Sequence, residues 1–281
     1  MQLSVITATH HRAKKLAKHC LPSLLKQTNT QFEWVVINDG ACPKTQELVQ
    51  SYQDQLSITY IETTHQGLIA ARNLGLDQAS SELICFLDDD NSLAPSFIAD
   101  MVDFFAKHKE ISMCTPIRRQ RRDSYRDGLR IKTGKEFFRP SLDAIPQDFV
   151  QNLPKAWFDS NGFTHRKQEQ IRFNPNTLIM SDYEYLLQCF SIWGLHSLAI
   201  LPKELVLYIQ TNEGIIGQST FSDWLKEFEF IQQNSAQYSI FELVPPEPWL
   251  SEQIETIRSK AIANKALPGF AKKPPVNNNL G

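Results

Sequence analysis

The chain has 281 residues, 42% of them hydrophobic and 21% charged, with a formal net charge of −2. That length fits one large α/β domain or two small ones, and so balanced a charge argues against a nucleic-acid partner. No apolar run approaches the ~20 residues of a membrane span. Met1-Gln2-Leu3-Ser4 lacks the basic start of a signal peptide. Five scattered cysteines (Cys20, Cys42, Cys85, Cys114, Cys189) without CxxC spacing read as free thiols of a reducing compartment. A cytoplasmic protein is therefore expected, with peripheral membrane contact left open.

The first 115 residues alternate between strand and helix patterns. Leu3 to Thr7 is a short β-branched, apolar run, a buried strand by composition. Arg12 to Gln27 carries Leu16, Cys20, Leu24 and Leu25 on one helical face, with Pro22 set to kink it or delay its start. Phe32 to Ile37 is the second strand, closed by the turn signal Asn38-Asp39-Gly40. Thr45–Gln53 reads as a helix, Ile58–Ile61 as a strand, Leu68–Ala79 as a helix and Leu83–Leu87 as a strand. Pro95 opens a helix with an apolar stripe of Phe97, Met101, Phe104 and Phe105, and Ile111–Thr115 is a fifth strand. Such alternation predicts a mostly parallel sheet covered on both faces.

Beyond residue 116 the rhythm is lost. Arg118–Lys135 is rich in basic residues and reads first as a solvated, mobile loop, or more sharply as an electropositive rim for a diphosphate or a phosphate-bearing acceptor. Residues 136–180 are irregular. A helix is expected at Asp182–Trp193, strands at Leu198–Leu201 and Leu205–Ile209, and helices at Phe221–Gln232 and Ser251–Asn264. Leu267–Gly281, with Pro274-Pro275 and an Asn run, reads as disordered.

Ligands of open parallel sheets bind beyond the carboxyl ends of the strands. The polar residues there are Thr7, Thr9, His10, His11 and Arg12, then Asp39, then His65, Gln66 and Gly67, and finally Asp88, Asp89 and Asp90. Three adjacent carboxylates repel one another unless a cation sits among them. Oxygen-only ligands at a half-open site suit Mg²⁺ or Mn²⁺ better than zinc. An Asp run alone would read as a solvated turn. At the end of an apolar strand in this pattern, it points to a bound cation.

Phe86-Leu87-Asp88-Asp89-Asp90-Asn91 resembles the DxD region of GT-A glycosyltransferases, family 2 above all. Four more segments carry the same resemblance in order: Val5-Ile6-Thr7-Ala8-Thr9-His10-His11-Arg12, Cys20 to Thr28, Phe32 to Gly40, and Gly67-Leu68-Ile69-Ala70-Ala71-Arg72-Asn73-Leu74-Gly75. Together they are far more specific than any one motif. The resemblance implies a GT-A α/β fold in a single catalytic domain, with a mostly parallel central sheet flanked by helices. It implies a donor half at 1–115, an acceptor and base half at 116–235, and a C-terminal helix and tail at 236–281. Thr7, Thr9 and Asp39 would hold the base and ribose, with Arg12 and Gly67 in the same donor site. Arg72 would approach the nucleotide phosphates; a local ion pair on its own helix is the competing reading. Asp89 would face ribose or sugar. Asp90 would bind a divalent Mn²⁺ or Mg²⁺ with Asp88 as partner.

Attack by an acceptor hydroxyl needs a general base. Ser181-Asp182-Tyr183-Glu184 at a helix start resembles the base helix of inverting members of the family, which makes Asp182 the candidate and Glu184 its competitor. Plain N-capping is the simpler alternative. His165 and His196 are left without a ligand role, and no Gln-x-x-Arg-Trp of processive synthases is present. The resemblance implies transfer of a single sugar from a nucleoside-diphosphate sugar, UDP-sugar foremost, to a saccharide or lipid-linked acceptor, as in polysaccharide biosynthesis. Two alternatives stand beside it. One is a non-catalytic GT-A-like binding domain. The other is a sugar-1-phosphate nucleotidyltransferase, disfavoured because the first strand lacks a Gly-rich basic loop.

Overall fold

The computed structural model describes residues 1–126, 129–139 and 158–263. The sheet begins with β1 (Leu3–Thr9), β2 (Phe32–Asp39), β3 (Ser57–Thr63) and β4 (Leu83–Phe86), all parallel, in the order β3-β2-β1-β4. Every second residue faces the opposite side, so both faces need apolar cover. One core gathers Leu3, Val5, Trp34, Val36, Leu83 and Cys85 with the apolar faces of the first helices. The other gathers Ile6, Val35, Ile37, Ile84 and Phe86 with the C-terminal helices.

The helix expected from Arg12 to Gln27 is two helices, α1 (Ala13–Lys18) and α2 (Cys20–Leu25), broken at His19. Pro22 explains the break. It lacks an N–H, and its ring would crowd the carbonyl of Lys18 in an unbroken helix. α3 (Pro43–Gln50), α4 (Leu68–Gln78) and α5 (Phe97–Lys107) complete the first half. Between β4 and α5 lies a two-residue strand, β5 (Ser92–Leu93), too short to be read from sequence.

The second half departs from expectation in one large respect. The fifth strand does not stop at Thr115; β6 runs Met113–Arg126, and the basic stretch is its continuation. It then meets β7 (Leu129–Lys132) and β8 (Glu136–Arg139), both antiparallel to it. β6 pairs in parallel with β10 (Leu198–Thr211), one bulged strand where two were expected. β9 (Thr164–Arg166), also unforeseen, bridges β4 and β6 in antiparallel fashion. One sheet thus crosses the boundary at 115/116.

The arginines of β6 are accommodated by carboxylates. Arg118 pairs with Asp159 at 2.9 Å, Arg121 with the fully buried Asp123 at 3.0 Å, and Arg119 with Glu204 and Glu136. The mobile-loop reading fails because residues 118–123 are hydrogen-bonded in the sheet to β10, and 118–121 also to β8. The rim is also less positive than the sequence implied, since these charges are matched locally.

α6 (Ser181–Trp193), a short α7 (Ile215–Gln218), α8 (Phe221–Gln233), α9 (Ile240–Leu243) and α10 (Trp249–Ile262) close the second face. The expected tail, Leu267–Gly281, lies outside the described residues. No helix among the described residues is long and apolar enough to cross a membrane. All five cysteines are free and buried.

Gly162 joins the halves. Its φ is +76°, its N–H bonds Phe86 O at 2.9 Å, and an added Cβ would lie 2.3 Å from Val206 Cγ2. Gly162→Ala combines left-handed backbone strain of ~1–2 kcal/mol with overpacking of ~1–3 kcal/mol. The expected result is a melting temperature lower by about 5–15 °C, read by differential scanning calorimetry. An unchanged melting temperature would mean that the backbone relaxes freely at this junction.

Candidate active site

The ends of β1, β2 and β4 open into a cavity of about 950 Å³, at the upper end of the range for ligand sites. Thr9, His10, Arg12, Asp39, His65, Arg72, Asp88, Asp89, Asp90, Arg118, Asp159 and Asp182 all line it. All the sequence-predicted site residues except Thr7 and Gly67 therefore meet, although they come from segments far apart.

Asp39 ends β2 at one extremity. Its carboxylate accepts from Gln66 N (2.7 Å), Gly67 N (2.9 Å), His65 Nδ1 (2.8 Å) and Thr63 Oγ1 (3.2 Å). Burial would raise its pKa, but these donors together hold it below the usual carboxylate range. His10 turns Nδ1 to the Asp39 carbonyl and stacks on His65 at 3.9 Å. His10, Asp39 and His65 bring potential ligand atoms within 4.8 Å of one another. The near-parallel stacking gives the two rings no shared in-plane point for one ion. This end instead offers a flat imidazole surface beside a fixed carboxylate.

Gly67 does not line the cavity. It works through Asp39, and its φ of +92° lets the chain turn into α4. Thr7 is not at the cavity either. It is fully buried beneath the strand end, accepting from Trp34 Nε1 at 3.0 Å with Cys20 Sγ at 3.7 Å. Strand alternation did not expose this from sequence, because Thr7 and Thr9 share a face and only Thr9 reaches the strand end.

The triplet divides three ways. Asp88 accepts from Arg72 (2.8 Å) and Asn161 (2.8 Å). Burial would raise it, and Arg72 and Asn161 outweigh that and lower its pKa. Asp89 accepts from Thr9 Oγ1 at 2.7 Å, and burial pushes its carboxyl up against the opposing pull of Arg12. Asp90 pairs with Arg12 and lies 3.5 Å from Lys15 Nζ. Asp89 Oδ1 is buried without a hydrogen bond, although Arg12 Nε is 3.3 Å away. An orphaned carboxylate oxygen beside Asp90, in an all-oxygen donor set, fits a hard divalent cation. Asp88 is the less suited of the two partners, being committed to Arg72 and Asn161.

Arg72 is 4% exposed and spans the cavity floor, donating to Asp88 and to Asp182 (2.6 Å). Its partners are thus not on its own helix, and the local ion-pair reading fails. Asp182, on the first turn of α6, also accepts from Ser160 N (3.1 Å) and Ser160 Oγ (3.0 Å). Glu184 points elsewhere, accepting from Tyr238 OH at 2.7 Å and from Gln188. It is buried outside the cavity lining, whereas Asp182 faces the cavity.

Asp159-Ser160-Asn161 was missed from sequence. Asn161 Oδ1 accepts from Asp88 N at 2.7 Å, Ser160 holds Asp182, and Asp159 holds Arg118. Burial raises the Asp159 carboxyl, with Arg118 opposing. The available signal was a polar tripeptide directly before Gly162-Phe163, a turn ahead of an apolar segment.

Carboxylates gathered at the ends of parallel strands, with a second carboxylate facing them from a helix start, are the arrangement of a GT-A nucleotide-sugar transferase. Solved structures bear out the fold. Staphylococcus aureus TarS residues 1–349, in complex with UDP-GlcNAc, superimposes with a TM-score of 0.61 at 20% identity, covering 82% of this chain and 65% of that one. A mannosyltransferase from Pyrobaculum calidifontis in complex with GDP-Man and Mn²⁺ superimposes with a TM-score of 0.56 at 17% identity, covering 95% and 76%.

The chain belongs to glycosyl transferase family 2, whose model matches residues 4–182. That family is one of glycosyltransferases, which sets the chain apart from the nucleotidyltransferases. Among relatives, poly(ribitol-phosphate) β-N-acetylglucosaminyltransferase TarS of S. aureus is 32% identical over 112 residues, 38% of this chain and 19% of TarS. Validoxylamine A glucosyltransferase of Streptomyces hygroscopicus is 36% identical over 104 residues, 36% of this chain and 24% of that protein. The matched segments thus span a quarter or less of these relatives.

Proposed function

We propose that the chain transfers a single sugar, with inversion, from a nucleoside-diphosphate sugar to a hydroxyl of a saccharide or lipid-linked acceptor. A UDP-sugar is the favoured donor. The observation that carries this reading is Asp182, which faces the same cavity as Asp39 and Asp88–Asp90 and is tied to Asp88 through Arg72.

The donor base and ribose lie at the Asp39, His10 and His65 end, where a fixed carboxylate can accept from an imide N–H. Arg12 and Thr9 flank the diphosphate and sugar. Asp90, with the unbonded oxygen of Asp89 beside it, would hold a divalent ion, which would supply countercharge for a diphosphate leaving group. Asp182 takes the proton of the attacking hydroxyl from the face opposite the leaving group. Arg72 and Ser160 fix its orientation, so the base meets the hydroxyl already aligned. Residues 1–115 supply the donor contacts and 116–235 the base and acceptor surface.

A thermal-shift panel of UDP, GDP and TDP sugars tests the donor side. With Mn²⁺, saturating UDP-sugar is expected to raise the melting temperature by about 5–10 °C, and chelator should remove most of that rise. Equal shifts with and without chelator would remove the metal from the reading. No shift with any nucleotide would remove the donor site.

A further inference from the structure

The helix that carries Asp182 has no side-chain cap of its own. The three backbone N–H groups ahead of it turn instead to one carboxylate from a distant helix. Glu227 Oε1 accepts from Leu178 N and Ile179 N, both at 3.0 Å, and Oε2 accepts from Met180 N at 2.7 Å. Consecutive N–H groups converging on an anion form a nest, and charge-assisted bonds of this kind are about twice as strong as neutral ones. Glu227 is 9% exposed and sits on α8, beyond the residues matched by the family model.

The held segment leads straight into the base. Met180 is the N-cap of α6, Ser181 its first residue and Asp182 its second. Met180 and Asp182 both line the cavity. Any slip of the nest would therefore carry Asp182 out of line with Arg72 and Ser160. Other carboxylates of α8 serve local ends. Asp223 completes a capping box with Thr220, and Glu229 pairs with Arg258 at 2.8 Å on the outer side.

We infer that Glu227 is a positioning residue for the general base, so that the C-terminal helices form part of the catalytic apparatus. This rests on the reading of Asp182 as base. Glu227→Gln keeps the shape but turns an NH₂ toward a backbone N–H. It is expected to lower kcat by about 10²-fold, while donor KM and UDP affinity stay within about twofold. Glu227→Asp, which keeps the charge on a shorter arm, should recover part of kcat. Glu229→Gln should leave both unchanged.

Wild-type kcat in Glu227→Gln would overturn the inference. So would a parallel fall of kcat, UDP affinity and melting temperature, the mark of a general loosening. If the Gln variant does not fold, Glu227→Asp decides on the same readouts: lower kcat at unchanged KM supports positioning, and unchanged kcat overturns it. Asp182→Asn run alongside separates the two readings. Normal transfer in Asp182→Asn overturns the base reading. An inactive Asp182→Asn with a normal Glu227→Gln overturns positioning alone.

Discussion

Asp182→Asn is expected to lower sugar transfer by about 10²- to 10⁴-fold, the range a positioned general base contributes, with UDP affinity nearly unchanged. Asn is isosteric and can still accept from Ser160, so the start of α6 keeps its shape. It cannot take the proton of an attacking hydroxyl. The substitution also removes one of the two carboxylates on buried Arg72, leaving Asp88 to hold the guanidinium. Some loss of stability follows, because a buried charge loses a partner. Retained UDP binding is therefore the control that separates lost chemistry from lost folding. Transfer at wild-type rate would move the base elsewhere in the cavity, and Asp159 would be the first residue to examine.

Asp90→Asn is expected to lose the metal-dependent part of nucleotide binding and to bring transfer down by about 10³-fold, corresponding to several kcal/mol of countercharge. Asp90 faces the cavity beside Arg12 and Lys15, and its side chain is 16% exposed. A neutral amide there leaves Arg12 facing Asp89 alone and gives a hard cation a weaker oxygen. Titration of UDP in Mn²⁺ and in chelator measures the effect. The two curves should differ for the wild type and coincide for the variant. A variant whose affinity still rises with Mn²⁺ would shift the metal to other residues.

Much of the donor half was legible because each strand is a short apolar run ending in a polar residue. Asp39 and Asp88–Asp90 could be grouped from sequence alone, since parallel strand ends converge by topology; Arg72, on α4, joined them only through the family resemblance. Thr7 shows the limit of that logic. A polar side chain one turn of the pleat back from the strand end is spent on Trp34 and never reaches solvent. The sequence reading separated Asp89 from Asp90 and Asp88, but that Asp88 is committed and an oxygen of Asp89 left unbonded was hidden, because the partners Asn161 and Arg12 lie in other segments.

The second half resisted for a different reason. Arg118 to Arg126 does not look like a strand, since β-propensity reflects fit to a half-buried surface, and here Arg118 and Arg119 fit through ion pairs with the distant Asp159 and Glu204. Asp123 and Asp159, which make the strand possible, carry no local signal. The same holds for Glu227, an unremarked acid on an amphipathic helix until its three backbone partners are seen.

The most direct measurement is the anomeric configuration of the first transfer product, read by proton NMR before mutarotation or exchange. The purified chain, an α-linked UDP-sugar and a panel of saccharide and lipid-linked acceptors are required, with Mn²⁺ present. A single displacement with Asp182 as base gives a β-linked product. An α-linked product would contradict it, since retention cannot arise from one attack on the face opposite the diphosphate.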